Sequence, residues 1–188
     1  NSEDRLGHLN RISVIGATLL VEDRELDITW GAQQANINVE RAPTGLRASF
    51  NLTTDFQTFK PDFSGEAYYD RVENKIDIST SFKNLNPRKL AERFEAMAGL
   101  EALDTSFSGE IQARVGLDGT IEHADFELDS AFGSLRIPGI EAPPIEFRAV
   151  TAEGRLVRAP DKLQITSLTA KFSDGAAEIK GMITRVGG

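Results

Sequence analysis

Phe63-Ser64-Gly65-Glu66 returns 44 residues later as Phe107-Ser108-Gly109-Glu110, and Ala152-Glu153-Gly154-Arg155 follows after a further 45. A recurrence of this length marks stacked units of one architecture. After each glycine comes a short run of alternating apolar and polar residues, then a turn, then a second alternating run. The second runs begin near Lys75-Ile76-Asp77-Ile78, near Thr120-Ile121 and near Lys162-Leu163-Gln164-Ile165. Each unit therefore reads as a β-hairpin or meander added to the one before. The chain divides on this reading into a single segment of four repeats, about residues 1–60, 61–105, 106–149 and 150–188.

Period-two alternation extends outward from these units in both directions. Ile12, Val14, Gly16, Thr18 and Leu20 compete with Ile15, Ala17, Leu19 and Val21 for one face, which predicts a bulge near Gly16 or a strand buried on both sides. Leu26, Ile28 and Trp30 suggest a second strand, Ala35, Ile37 and Val39 a third, and Leu46, Ala48, Phe50 and Leu52 a fourth after the Pro43-Thr44-Gly45 turn. Asp118-Gly119 predicts a two-residue hairpin turn between Ile111–Leu117 and Ala124–Leu128. Ile137–Pro144 carries three prolines and cannot hold a ladder, so it reads as a loop whose isoleucines pack on something. From Ile165 to Leu168 the apolar phase slips by one residue, which predicts a bulge at Thr166-Ser167.

One segment breaks the pattern. Asn86 is a helix N-cap followed by Pro87, Leu90, Phe94 and Met97 recur at helical spacing, and Gly99 offers a stop. The expectation is one short amphipathic helix at about 87–98, its apolar stripe on a sheet face, in a chain that is otherwise mainly β. Sequential strands joined by tight turns pair antiparallel, so the fold is expected to be a long twisted antiparallel meander. Its apolar side is either an open curved groove or the sealed core of a sandwich.

The formal net charge of −8, with no Lys/Arg block, argues against a nucleic-acid partner. No apolar run approaches the roughly 18–20 residues that span a bilayer. The start Asn1-Ser2-Glu3-Asp4-Arg5 has no signal-peptide pattern and no initiator Met, and the end at Met182–Gly188 follows a strand-like run, so the chain reads as an internal slice of something longer. With no Cys, thiolate chemistry and disulfides are excluded.

Chemistry-bearing motifs are absent. His123 shares a strand face with Asp125, Glu127 and Asp129, but residues spaced two apart on one strand spread over about 13 Å, too far for one ion. That row reads as a solvated face. Glu22–Asp27 lacks the spacing and the glycine of a calcium loop. There is no nucleophile elbow, phosphate loop or zinc helix, and Asn51-Leu52-Thr53 matches a glycosylation tripeptide inside a strand. No enzyme activity, metal or cofactor is expected.

Ile12–Asp23 with Asp27-Ile28-Thr29-Trp30, then Asn84–Ala91, Leu103–Glu110 and Leu117–Ile121, resemble the strands, short helix and "Ser-Gly … Asp-Gly" leaf of the AsmA-like family of the YhdP and TamB type. That resemblance implies lipid transport in the cell envelope: a periplasmic chain tethered to the inner membrane by a segment not present here. Its repeats would form a β-groove conducting phospholipid between inner and outer membranes, serving outer-membrane biogenesis. The partners implied are phospholipid acyl chains, adjacent repeats of the same chain and that inner-membrane anchor. The candidate lining is the apolar side of the clearest strands: Ile76, Ile78, Phe82, Ile111, Val115, Leu117, Phe126, Leu128, Leu163, Ile165 and Ile179. The competing expectation is a structural or interaction module, or an outer-membrane assembly factor, with a sealed β core and no conduit. Cut repeat arrays also expose edge strands, so self-association of the fragment is expected.

Overall fold

In the computed structural model, which describes residues 10–23, 28–56, 59–158 and 161–184, the chain is one open antiparallel sheet. Its strands are β1 (Arg11–Asp23), β2 (Ile28–Ala42), β3 (Gly45–Thr54), β4 (Asp62–Asp70), β5 (Lys75–Leu85), β6 (Leu103–Gly116), β7 (Ile121–Leu135), β8 (Ile145–Phe147), β9 (Ala149–Arg158), β10 (Asp161–Lys171) and β11 (Ala176–Thr184). They lie side by side in chain order, except that the short β8 pairs with the end of β7, leaving β9 to continue the sheet. β1 and β11 are the outer strands and do not meet, so the sheet does not close. This is the mainly β meander expected. The sealed sandwich is corrected: no second sheet covers this one among the described residues.

Local irregularities follow the phase conflicts in the sequence. β1 gains a residue against β2 between Val14 and Ala17, where Gly16 adopts φ +64°, a conformation glycine takes without strain. β10 carries an extra residue between Ile165 and Leu168, at Thr166-Ser167. The two strands expected at 26–30 and 35–39 are instead the single β2, while Leu26 falls outside the described residues. Gly31–Gln34 contains no turn-forming pair, and a one-residue bulge between Ala32 and Gln34 absorbs the change of phase.

The Asp118-Gly119 turn is wider than the two residues expected. Leu117–Thr120 all lie outside the strands. The Gly119 N–H donates to the Gly116 carbonyl at 3.0 Å, the Thr120 N–H donates to the Asp118 carboxylate at 2.9 Å, and Gly119 takes φ +81°. Because the Asp118 side chain already caps this loop, a four-residue turn forms, and Glu122 bulges out where Arg114 pairs with His123 and Val115 with Ile121.

The helix is also shorter than expected. α1 runs Pro87–Arg93, with the Asn86 side chain accepting from the Lys89 N–H at 3.0 Å. It ends at Phe94, which is extended (φ −124°, ψ 111°), and a 3₁₀ turn continues over Glu95–Leu100, so Gly99 stops nothing. The break has a packing cause. It delivers the Phe94 ring edge-on to Phe56 at 5.8 Å, where Phe59 stacks at 4.9 Å from Phe56 and Trp30, Leu90 and Met97 complete the cluster. Leu90, Phe94 and Met97 thus meet as one stripe, packed with Phe56 and Phe59 from the connection after β3 and with Trp30 of β2.

The connections are unequal at the two rims of the sheet. The long ones, 55–61, 86–102 and 136–148, all leave from the same rim, where β3, β5 and β7 end. At the other rim the chain reverses in short turns at 43–44, 71–74 and 117–120. Each 44- or 45-residue step therefore holds two strands plus one long connection, a helix in one case and a loop with β8 in the other. The 137–144 loop forms as expected, but Ile137 and Ile140 are exposed rather than packed, since the loop follows the rim and does not fold back over the sheet.

Candidate binding face

Residues directly opposite each other on neighbouring strands point to the same side of a sheet. The pairing therefore sorts the side chains into rows that cross the sheet. One row runs Ile37, Phe50, Gly65, Thr80, Ile111, Phe126, Gly154, Ile165 and Gly181. The next runs Ala35, Leu52, Phe63, Phe82, Gly109, Leu128, Ala152, Leu168 and Ile179, and a third Val39, Ala48, Ala67, Ile78, Ala113, Ala124, Leu156, Leu163 and Ile183. Thr80 is the sole polar side chain among the three. Across these three rows this face of the sheet is apolar.

Of the lining predicted from sequence, Ile76, Ile78, Phe82, Ile111, Val115, Phe126, Leu128, Leu163, Ile165 and Ile179 come together on this face. Leu117 does not: it sits beyond β6 in the turn, 55% exposed. Sequence reasoning left out of the lining Phe50, Leu52, Phe63, Tyr69, Leu156, Leu168 and Ile183. Each alternates as clearly as the residues chosen, but which rows they join depends on register and on the bulges.

The repeated glycines have a packing role on the same face. They stand on alternate strands, Gly65 on β4, Gly109 on β6 and Gly154 on β9, each beneath a large side chain of a neighbouring strand. A Cβ there would meet Phe50 at 2.9 Å, Leu128 at 2.9 Å and Phe126 at 2.5 Å respectively. The motif therefore spares room for a ring or a branched chain to lie flat on the sheet.

Cover over this face is confined to the elaborated rim. Phe82 and Phe107 are buried there, Phe82 with its ring beside Phe63 and Phe107 opposite Ser130, whose hydroxyl bonds Thr105, and Phe147 of β8 lies over Gly133. Away from it the apolar side chains face solvent: Ile111 is 36% exposed, Leu156 36%, Ile179 55% and Ile183 60%. Ten strands at about 4.8 Å spacing make the face roughly 43 Å wide.

The opposite face is polar and holds itself together by cross-strand ion pairs. Arg114 on β6 donates two hydrogen bonds to Asp77 on β5, at 2.7 and 2.9 Å, and one to Glu73 at 3.2 Å. Arg155 on β9 donates to both carboxylate oxygens of Asp125 on β7, at 2.5 and 2.8 Å. These guanidinium hydrogen bonds hold the Asp77 and Asp125 carboxyls below the ordinary carboxylate range. One row away Glu110, Glu127 and Glu153 stand side by side on three adjacent strands. Among the described residues no group of His, Asp and Glu converges so as to hold a metal ion. Nothing in this arrangement pairs a nucleophile with a base. What it offers is apolar contact along one side and water along the other.

Comparison with protein families, with curated proteins and with solved structures finds nothing that matches the chain.

Proposed function

We propose that the chain is a segment of a bridge-like lipid-transfer protein of the periplasm, and that its apolar face carries phospholipid acyl chains between inner and outer membranes. The observation that carries this reading is the continuity of that face: row after row of apolar side chains with cover at one rim only. Exposed apolar patches beyond a few hundred Å² mark interaction surfaces. An acyl tail of about 15 Å, half of a bilayer's hydrocarbon core, covers about three strand spacings. Contact needs no directional bonds, and each methylene removed from water contributes about 0.8 kcal/mol. Because the polar face stays wet and the apolar face supplies no headgroup donors, binding is expected to be weakly selective among headgroups. The inner-membrane tether and the adjoining repeats belong to this reading as parts outside the chain. No catalytic step and no cofactor enter it.

The test is lipid retention. The protein, incubated with phosphatidylethanolamine/phosphatidylglycerol vesicles and re-isolated, is examined by native mass spectrometry alongside Val115→Asp. Wild type should carry phospholipid. The variant should carry less while melting close to wild type, because water reaches the new carboxylate from the open side. A wild type that retains no lipid would remove the conduit and leave an interaction module.

A further inference from the structure

Thr80 is the one polar side chain in the three rows that cross the apolar face, and its neighbours there are all apolar. Ile78 and Phe82 flank it on β5, and Ile111 stands opposite on β6. On β4 the opposite residue is Gly65, over which the Phe50 ring lies. The Thr80 side chain is half-buried. The other hydroxyls that strand parity places on this side have partners. Thr54 donates to the Pro61 carbonyl at 3.0 Å, and Tyr69 to the Asn74 side-chain oxygen at 3.1 Å. Thr105 donates to the Phe132 carbonyl at 2.8 Å and shares a second hydrogen bond with Ser130. Thr80 lies in the middle of its strand, and among the described residues nothing bonds its hydroxyl.

While the face is bare, water satisfies that hydroxyl. Once an acyl chain lies along the row the water is excluded, and an unbonded hydroxyl under hydrocarbon costs free energy. The cost is avoided by an occupant that sets an acceptor oxygen over Thr80. A diacyl phospholipid carries such oxygens where its hydrocarbon begins, in the carbonyls of its two ester links. From Thr80 the row continues over Ile111, Phe126 and Gly154, three strand spacings or about 14 Å, which matches the length of one tail.

We propose that the Thr80 hydroxyl donates a hydrogen bond to an ester carbonyl of the bound lipid, so that Thr80 sets the lipid's position on the face and selects ester-linked over ether-linked chains. This rests on the lipid-carrying reading, to which it adds one directional contact.

The experiment is a competition. The full chain is incubated with vesicles of equimolar diester and diether phosphatidylglycerol of the same chain length, re-isolated, and its retained lipid counted by native mass spectrometry, for wild type, Thr80→Val and Thr80→Ser. Valine keeps the branched shape and the strand preference of threonine, so Thr80→Val should melt close to wild type. Wild type should retain the diester about fivefold over the diether, the scale of one hydrogen bond. Thr80→Ser, which keeps the hydroxyl, should keep the preference. Thr80→Val should hold both lipids about equally, with total retention no lower than wild type, which separates lost selectivity from lost binding. A wild type without ester preference, or a preference that survives in Thr80→Val, would overturn the role given to Thr80 while lipid carriage stands. Retention of neither lipid by wild type would remove lipid carriage itself, and the role of Thr80 with it.

Discussion

Phe126 on β7 lies flat over Gly154 on β9, its ring 2.5 Å from where a Cβ on that residue would stand. The same site would place that Cβ 2.5 Å from the Gln164 carbonyl oxygen on the other side, and a backbone atom cannot move aside cheaply. Gly154→Ala should therefore destabilise the fold by about 1–3 kcal/mol, the usual cost of overpacking. Gly175→Ala, with nothing within 4 Å of the added methyl, should be close to neutral. Thermal melting of the two variants checks this, and equal melting temperatures would dismiss the packing role given to the repeated glycine.

That relationship shows where the sequence is legible. The spacing of Gly65, Gly109 and Gly154 announces a repeating β unit, and alternation announces strands, because both are local properties. Bulges at Gly16 and Thr166-Ser167 are legible for the same reason, as conflicts of phase within one run. Ring over glycine is not legible: Phe126 and Gly154 are brought opposite each other by the β7–β9 register, which the 136–148 loop and β8 set from outside both strands. Phe94 fails for a related reason. Its helical spacing from Leu90 is real, but the ring is claimed by Phe56, which lies 38 positions earlier, and the backbone breaks to deliver it. Of the candidate face, composition is readable strand by strand, and only the sheet order shows that it is continuous.

Glu110, Glu127 and Glu153 are opposed on three neighbouring strands. Like charges directly opposite cost stability on the same scale as favourable pairs add to it, so neutralising the middle one should be stabilising. Glu127→Gln is expected to raise stability by about 0.2–1 kcal/mol at low ionic strength, and Glu127→Lys by somewhat more. The gain should shrink in about 1 M salt, where the screening length falls to about 3 Å. Urea midpoints at two salt concentrations measure it, and a loss of stability in Glu127→Lys would show that the row is occupied by something cationic.

The Arg114–Asp77 and Arg155–Asp125 pairs set a pH dependence. Both carboxyls have a folded-state pKa below the ordinary value near 3.9, the guanidinium hydrogen bond being the main cause. A depressed folded pKa contributes stability that is present above the unfolded value and is lost as pH falls through the folded one. Wild type should therefore melt higher than the double variant D77N/D125N at neutral pH. The difference should begin to narrow as pH falls towards 4 and close below the folded pKa values. Both carboxylates are nearly half exposed, so the difference is expected to be small. A gap that persists unchanged at pH 2 would mean that the pairs act through packing and not through charge.

The cluster of Phe94, Phe56, Phe59 and Trp30 is the compact packing at the elaborated rim, and it is held by a helix of seven residues, too short to persist without it. Asn86→Ala removes the cap on the Lys89 N–H and should cost about 1 kcal/mol. Phe94→Ala empties a buried ring site and should cost about 3–5 kcal/mol at this rim, releasing α1 together with Phe56 and Phe59. The strands themselves pair through backbone ladders that this rim does not supply, so the loss should be local. Hydrogen exchange should accelerate over residues 86–100 and at the amide of Phe56, which donates to the Phe59 carbonyl at 3.1 Å, while β6 and β7 keep their protection. Release of α1 should uncover Phe56, Phe59 and Trp30, adding apolar surface at this rim and raising lipid retention in the vesicle assay above wild type. Retention that falls as α1 is released would instead make the aromatic rim part of the binding surface.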